Sequence, residues 1–513
     1  MAIPVINLFA GAGGMTEGFC PVSDVNRRFR IALTVEKDRI TCETLRLRNF
    51  CRLFPAGELP EEYYRVLRGE ISFESLWSAY PKKAELSAWI TRHAELGNPE
   101  SCPEEALDQL IEEALGGCDS WVLIGGPPCQ AYSTAGRSRN QGNPNYNPEQ
   151  DPRLFLYREY VRVLGRHSPA AFVFENVRGL FSAKAEGKPL FPKIIEGLAS
   201  PGAFWKREGK PGFQHRYRLY ALTGAEVDET GDPRKLLIQA EQYGIPQTRH
   251  RILILGIRED VDGSPKRFIP EGTLTGAGLV MKGLPRLRSG LSRNKDSLEG
   301  WKGVLQNALS TKWLQDASNR FGEKLKIAVA EAVEQACELS LDQGSDYIPS
   351  RDTSAPEWEG EWYHDQNLAG VLNHRSKSHM PTDLHRYLFV TSFAKATGRI
   401  AMLNDFPEEI LPAHKNAKTE KFKDRFRVQQ AGVPAKTITS HLSQDGHYFI
   451  HPDASQCRTL TVREAARIQT FPDNYFFLGN RTEQYIQVGN AVPPLLGKMA
   501  ANQILEAIDK TSK

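Results

Sequence analysis

Cys129 ends the run WVLIGGPPCQ, Trp121 to Gln130, in which four apolar residues break into two glycines and two prolines just ahead of the thiol. The apolar run reads as a buried strand of an α/β sheet. The glycines let the backbone turn sharply, and the prolines fix φ on the way out. The thiol is therefore presented on a stiff turn at the carboxyl end of a strand, the edge where open α/β sheets bind ligands. A free cysteine taken alone is more often a small buried hydrophobe than a nucleophile. A packing cysteine has no need of a Pro-Pro turn.

Other stretches carry chemistry of their own. INLFAGAGGMTEGF, Ile6 to Phe19, joins a strand, a tight turn at Gly11 and Gly13, and a helix start. Such a unit can cradle an anionic or nucleoside-bearing ligand. It departs from the dinucleotide fingerprint, because Thr16 stands where that pattern has its third glycine. Glu36 closes the next strand, about twenty residues on, where an acid can accept hydrogen bonds from ribose hydroxyls. The pair points to an adenosine-type cofactor; a structural turn with a surface glutamate is the competing reading. Glu175, in FENV, ends another strand and so faces the same crevice as Cys129. A carboxyl there can keep or donate a proton, or simply cap the next turn. Arg249 and Arg251, in QTRHRILILG, precede a buried strand, and alternation puts both on one side. They suit an anion or a polarised carbonyl, and ordinary ion pairing equally well. In QVGNAVPP, Gly489-Asn490 reads as a tight turn before a Pro-led helix.

Holding these positions takes an alternating chain. Strands are expected at Pro4–Phe9, Phe29–Val35, Trp121–Ile124, Ala171–Phe174, Arg216–Leu222 and Arg251–Ile257. Leu154, Tyr157, Tyr160, Val161 and Leu164 give Arg153–Arg166 the spacing of a core-facing helix. The fold class is α/β, with a mainly parallel sheet covered on both faces. Cys51–Cys118 is mostly helical in pattern and reads as a surface insertion. From Arg258 to about Gln430 the pattern is irregular, apart from an amphipathic helix around Phe321–Leu341 and basic stretches over Met281–Lys326 and His374–Arg399. Regular structure resumes after Arg458, with helices near Val462–Gln469 and after Pro493. The expected domains are 1–260, carrying the insertion at 51–118, then 261–457, then a return to the first domain over 458–513.

At 513 residues the chain is long enough for two or three domains. Its 40% apolar content and net charge of +3 are those of an ordinary globular protein, so a polyanion partner needs locally concentrated positive charge. Eight scattered cysteines without a CxxC pair argue against structural zinc and disulfides, and for a reducing, cytoplasmic setting. No apolar run reaches membrane-spanning length, and no signal pattern opens the chain. Neither a metal nor a membrane is expected.

In order along the chain, FAGAGG, the acid at Glu36, GGPPCQAYS, FENV, QTRHR, RTLTVREAARIQTFPD and QVGNAVPP resemble the characteristic motifs of DNA (cytosine-5) methyltransferases. The resemblance implies a Rossmann-like, S-adenosylmethionine-dependent catalytic domain with a smaller target-recognition domain in the middle region. It implies that Cys129 adds to carbon 6 of cytosine, so that carbon 5 takes the methyl group, loses its proton and releases the thiol. Glu175 would bind ring nitrogen 3 and the exocyclic amine, and Arg251 the carbonyl oxygen at position 2, with Arg249 in support. Phe9, Gly11, Gly13, Gly14, Glu36, Asn490 and Val492 would hold the cofactor, which leaves as S-adenosylhomocysteine. Glu70, in RGEIS, matches the acid that contacts the adenine amine, while Lys37 stands where the family often has an aromatic to stack on adenine.

A base inside a duplex must be flipped out to reach such a pocket. The loop Ala131–Asn147 reads as a lid, with Gln130, Ser133, Arg137 and Arg139 toward the DNA, and its arginines also favour the thiolate. The expected partners are double-stranded DNA and a cognate restriction or phage-defence system. The implied enzyme is a stand-alone prokaryotic monomer, cytoplasmic and nucleoid-associated through DNA. The main rival, an RNA cytosine-5 methyltransferase, would be shorter in the middle region. A catalytically dead regulator does not explain the intact Cys129, Glu175 and Arg251, and an oxidoreductase does not explain GPPCQ.

Overall fold

The structure, a computed structural model, describes residues 2–128, 151–210, 212–227, 233–270, 272–293, 295–350, 355–413 and 423–509. Cys129, Gln130, Ser133, Arg137 and Arg139 lie outside the described residues.

The chain forms two compact units, one of Met1–Tyr63, Ile71–Thr273 and Ala491–Lys513, the other of Tyr64–Glu70 and Leu274–Asn490. The first is built on an eight-stranded sheet. Its strands are β1 (Ile3–Leu8), β2 (Phe29–Glu36), β3 (Thr91–His93), β4 (Val122–Gly125), β5 (Ala171–Val177), β6 (Tyr217–Ala221), β7 (Leu237–Gln239) and β8 (His250–Arg258). The order is β3-β2-β1-β4-β5-β8-β6, with β7 also pairing β8. β3, β2, β1, β4 and β5 are mutually parallel, whereas β8 runs antiparallel to β5, β6 and β7. β8 is thus the reversed strand of the sheet, and its amino-terminal end lies at the carboxyl edge of the parallel set.

The parallel strands read as apolar runs because both faces are covered. Val5, Ile6 and Leu8 of β1 and Val122, Leu123 and Ile124 of β4 are 0% exposed. The helix Tyr157–His167 lays Tyr160, Val161 and Leu164 on the sheet core. The closing helix Pro494–Ile508 crosses the short helix Gly14–Phe19 at glycines: a Cβ on Gly18 would come within 2.3 Å of the Pro494 carbonyl oxygen.

The stretch Cys51–Cys118 is not a surface insertion. It supplies β3, the edge strand paired to β2, and the helix Glu104–Leu115, whose Leu107 and Ile111 enter the core. Three residues, Thr-Arg-His, give no apolar run by which such a strand can be read.

The second unit is more regular than its sequence pattern. Helices at Leu298–Ala308, Lys312–Phe321, Glu323–Glu338 and Pro381–Thr397 pack around their own core. The helix expected at Phe321–Leu341 is split at its start by Gly322, whose φ of +94° ends one helix and opens the next. The basic stretch His374–Arg399 holds a core helix, with Leu384, Leu388, Val390 and Phe393 at 0% exposure. The segment 458–490 belongs to this unit. Its arginines are the reason: Arg458 pairs with Glu464 and bonds the Leu287 carbonyl, Arg463 bonds that of Leu372, and Arg467 pairs with Asp473 and bonds that of Val280. No helix among the described residues is long and apolar enough to cross a membrane.

Candidate active site

Every candidate of the first unit that the structure describes lies at or just beyond one edge of the sheet. The glycine turn follows β1, Glu36 ends β2, the Gly126–Pro128 turn follows β4, and Glu175 sits near the end of β5. Parallel strands bring their carboxyl ends to one side, which is why residues far apart in sequence meet there.

In the glycine turn, Phe9 has φ +56° and Gly11 and Gly13 have φ +53° and +72°. A bulky residue held in the left-handed region is strained, and such strain persists only where the surroundings over-determine it. Here the Gly11 N–H donates to Glu36 Oε2 at 2.8 Å, and the Ala10 N–H donates to the Val35 carbonyl at 3.2 Å. Glu36 Oε1 also accepts from the Asp38 N–H at 3.0 Å. Glu36 therefore does more than close β2: its carboxylate braces the turn. Thr16, the residue that breaks the dinucleotide pattern, is 0% exposed and accepts from Asn7 Nδ2 at 2.6 Å, which ties the helix Gly14–Phe19, begun by Gly14, to β1.

A second tie was not legible in the sequence. Glu17 is buried and gripped by Arg48 at 2.5 Å and Arg52 at 2.7 Å, both on the helix Arg39–Arg52. Burial pushes the Glu17 carboxyl up, but the two guanidiniums outweigh it and hold the group below the usual carboxylate range. The helix after Glu36 thus fixes the helix after the glycine turn.

At the other half of the edge, Arg251 Nε lies 3.0 Å from Glu175 Oε1. Register explains the meeting: Glu175 opposes Leu253, and Arg251 opposes Val177, so the two are diagonal neighbours on one sheet face. Gly126 makes room for the carboxylate, since a Cβ there would fall 2.8 Å from Glu175 Oε2. Asn176 Nδ2 donates to the Pro127 carbonyl at 3.2 Å, joining β5 to the turn after β4. Arg249 is 1% exposed and donates to the Ala491 carbonyl at 2.7 Å, which anchors the segment holding Val492 to the sheet.

The remaining candidates belong to the second unit. Glu70 is exposed and pairs with Arg68 at 2.6 Å and Arg65 at 3.4 Å. Asn490 ends the helix Arg481–Asn490, so the sequence Gly489-Asn490 is not a turn. Gly489 serves close packing instead, because a Cβ there would come within 2.2 Å of the Ser440 amide nitrogen. His374 and His379, of the basic stretch His374–Arg399, are 0% and 5% exposed.

Comparison with known proteins identifies the family. The family model for C-5 cytosine-specific DNA methylase matches residues 70–506. A type II methyltransferase of Bacillus paralicheniformis is 32% identical, covering 98% of this chain and 99% of its own length. A DNA (cytosine-5-)-methyltransferase of Aeropyrum pernix is 26% identical, covering 98% of each chain. A type II methyltransferase of Thalassovita gelatinovora is 24% identical over 88% of this chain and 98% of its own. The chain belongs to the C-5 cytosine-specific DNA methylase family, enzymes that methylate carbon 5 of cytosine in DNA.

Proposed function

We propose that this enzyme transfers the methyl group of S-adenosylmethionine to cytosine within one short sequence of double-stranded DNA, through a Cys129 adduct on a flipped-out base. The observation that carries the reading is the Glu175–Arg251 pair, a carboxylate and a guanidinium held 3.0 Å apart beside the turn that leads to Cys129. The residues after β1 and β2 fit the cofactor. At Gly11 a Cβ would meet nothing within 4 Å, so the turn is open on that side, and Glu36 supplies the acid expected for a ribose. Phe9, Gly11, Gly13, Gly14, Glu36 and Val492 would hold the cofactor. When bound, S-adenosylmethionine supplies an electrophilic methyl group on a sulfonium.

Cytosine is a poor nucleophile at carbon 5, and covalent addition divides a hard alkylation into easier steps. The Cys129 thiolate forms a bond to carbon 6. The Glu175 carboxylate takes a proton from solvent as the base binds and passes it to ring nitrogen 3, which takes up the electron pair released by that addition. Arg251 donates hydrogen bonds to the carbonyl oxygen at position 2, where negative charge also gathers. Arg249 acts on the site through the Ala491 carbonyl that it holds. Once carbon 5 carries the methyl group, the electron pair of the broken methyl–sulfur bond remaining on the sulfur of S-adenosylhomocysteine, ring nitrogen 3 would return its proton to Glu175, the carbon 5 proton would leave to solvent, and the electron pair of that C–H bond would expel Cys129 as thiolate. Gln130, Ser133, Arg137 and Arg139 would meet the DNA, and the middle region would read base edges. Relatives named type II methyltransferases support a place in a restriction–modification or related phage-defence system.

Bisulfite sequencing of plasmid DNA from cells expressing the enzyme tests the reading. Methylation of one short motif, absent with Cys129→Ser, is the expected result. Methylation that persists in that variant, or 5-methylcytosine found only in RNA, overturns it.

A further inference from the structure

Tyr160 has the spacing of an ordinary core residue on the helix Tyr157–His167, and it is 0% exposed. Its hydroxyl, however, reaches the backbone of two different strands. Tyr160 Oη lies 2.9 Å from the Val173 carbonyl of β5 and 3.2 Å from the Leu123 carbonyl of β4. Val173 stands two residues before Glu175, and Leu123 stands four before Pro127. The ring is held by Phe172 and Phe174, with centroids at 6.1 and 5.4 Å in edge-on contact. Gly125 admits both β1 and the ring: a Cβ at that position would come 2.3 Å from the Leu8 carbonyl oxygen and 3.2 Å from Tyr160 Cε2.

A buried phenol needs a partner, and one backbone carbonyl is enough to satisfy its single proton. Placing that proton between two carbonyls on neighbouring strands does something more. It couples the position of the strand bearing Glu175 to that of the strand leading into the Pro127–Pro128 turn. Asn176 makes a similar tie from above, at Pro127. We infer that Tyr160 is a positioning residue for the methyl transfer, its hydroxyl setting the spacing between the Glu175 carboxylate and the turn after β4. It touches neither substrate nor cofactor; it acts through the two strand ends.

The inference rests on the role given to Glu175, and the test separates the two. Tyr160→Phe keeps the ring and removes only the hydroxyl. Tyr217→Phe is the matched control, since the Tyr217 hydroxyl is also buried and lies 3.1 Å from the Pro169 carbonyl and 3.4 Å from that of Leu164, away from the carboxyl ends of β4 and β5. Steady-state methylation of a DNA substrate is measured for both variants and for Glu175→Gln, with unfolding midpoints alongside. Small displacements of reacting groups cost up to about a hundredfold in rate, so a fall of about tenfold in kcat is expected for Tyr160→Phe, with KM for S-adenosylmethionine within about twofold of the parent. Tyr217→Phe should lower the unfolding midpoint comparably and leave kcat unchanged. Equal kcat values for Tyr160→Phe and the parent, or equal losses in both tyrosine variants, overturn the inference. Full activity in Glu175→Gln overturns the role of Glu175 instead. If Tyr160→Phe is unfolded at the assay temperature, all the variants are assayed at a lower temperature, at which it is folded, against the same outcomes.

Discussion

Arg251 and Glu175 meet at 3.0 Å with only 15% and 14% of their side chains exposed, so the pair is sheltered without being fully buried. A carboxylate and a guanidinium in that setting hold each other in place. Proton transfer by a positioned side chain contributes about 10²- to 10⁴-fold, and Glu175→Gln should lose activity in that range. Arg251→Lys keeps the charge but loses the planar fork, and a smaller loss, about tenfold to a hundredfold, is expected in kcat rather than in KM. Single-turnover methylation with saturating cofactor reads both.

Gly126→Ala places a methyl group 2.8 Å from Glu175 Oε2, closer than ordinary van der Waals contact allows. The carboxylate must shift, and the pair with Arg251 shifts with it. Methylation should fall by about tenfold or more while S-adenosylmethionine binding, measured by calorimetry, stays within about twofold of the parent. Weakened cofactor binding with normal turnover would contradict the assignment of this glycine to the base side of the site.

Glu36 and Glu17 brace the glycine turn and the helix after it in different ways. Glu36→Gln weakens the acceptor for the Gly11 N–H and removes the acid expected to bind ribose, so KM for S-adenosylmethionine should rise about tenfold with kcat little changed. Glu17→Gln leaves Arg48 and Arg52 buried without their counter-charge. Removing one partner of a buried ion pair costs about 3–5 kcal/mol, which denaturant unfolding of the first unit should register.

The second unit carries histidines held neutral by burial. Burial brings His374 and His451 down to about 4 and His379 to about 3, against 6.5 for an open imidazole. The unfolded chain therefore takes up protons that the folded unit refuses as pH falls below 6.5. Stability is full above that value and declines toward pH 4, by about 1.4 kcal/mol per histidine for each pH unit. Limited proteolysis with mapped cleavage sites should show residues 274–490 opening between pH 6 and 4.5, before residues of the parallel sheet. Protection of that segment unchanged across the window would contradict the neutral histidines.

The apolar runs of β1, β2, β4, β5 and β8 and the residues at their ends were legible in the sequence, because burial on both faces writes a strand as a run of Val, Ile and Leu. The motifs at those ends were enough to identify the family. Other features had no local signature. β3 is three polar-leaning residues recruited to an edge by pairing with β2, and Gly489 reads as a turn although the chain is helical there. His374 and His379 read as part of a basic surface, yet packing buries both.

What the sequence by itself determined is which side chains can react and that an α/β sheet presents them, since periodicity and turn residues are properties of neighbours in the chain. What only the tertiary structure decided is how those side chains are placed. The reversal of β8 sets Arg251 against Glu175, Gly126 clears a space for the carboxylate, Tyr160 spans the two strand ends, and Arg48 with Arg52 grips Glu17. Each is a contact between residues at least 13 positions apart in the chain, and distance in the chain says nothing of distance in the fold until strand order and register are set.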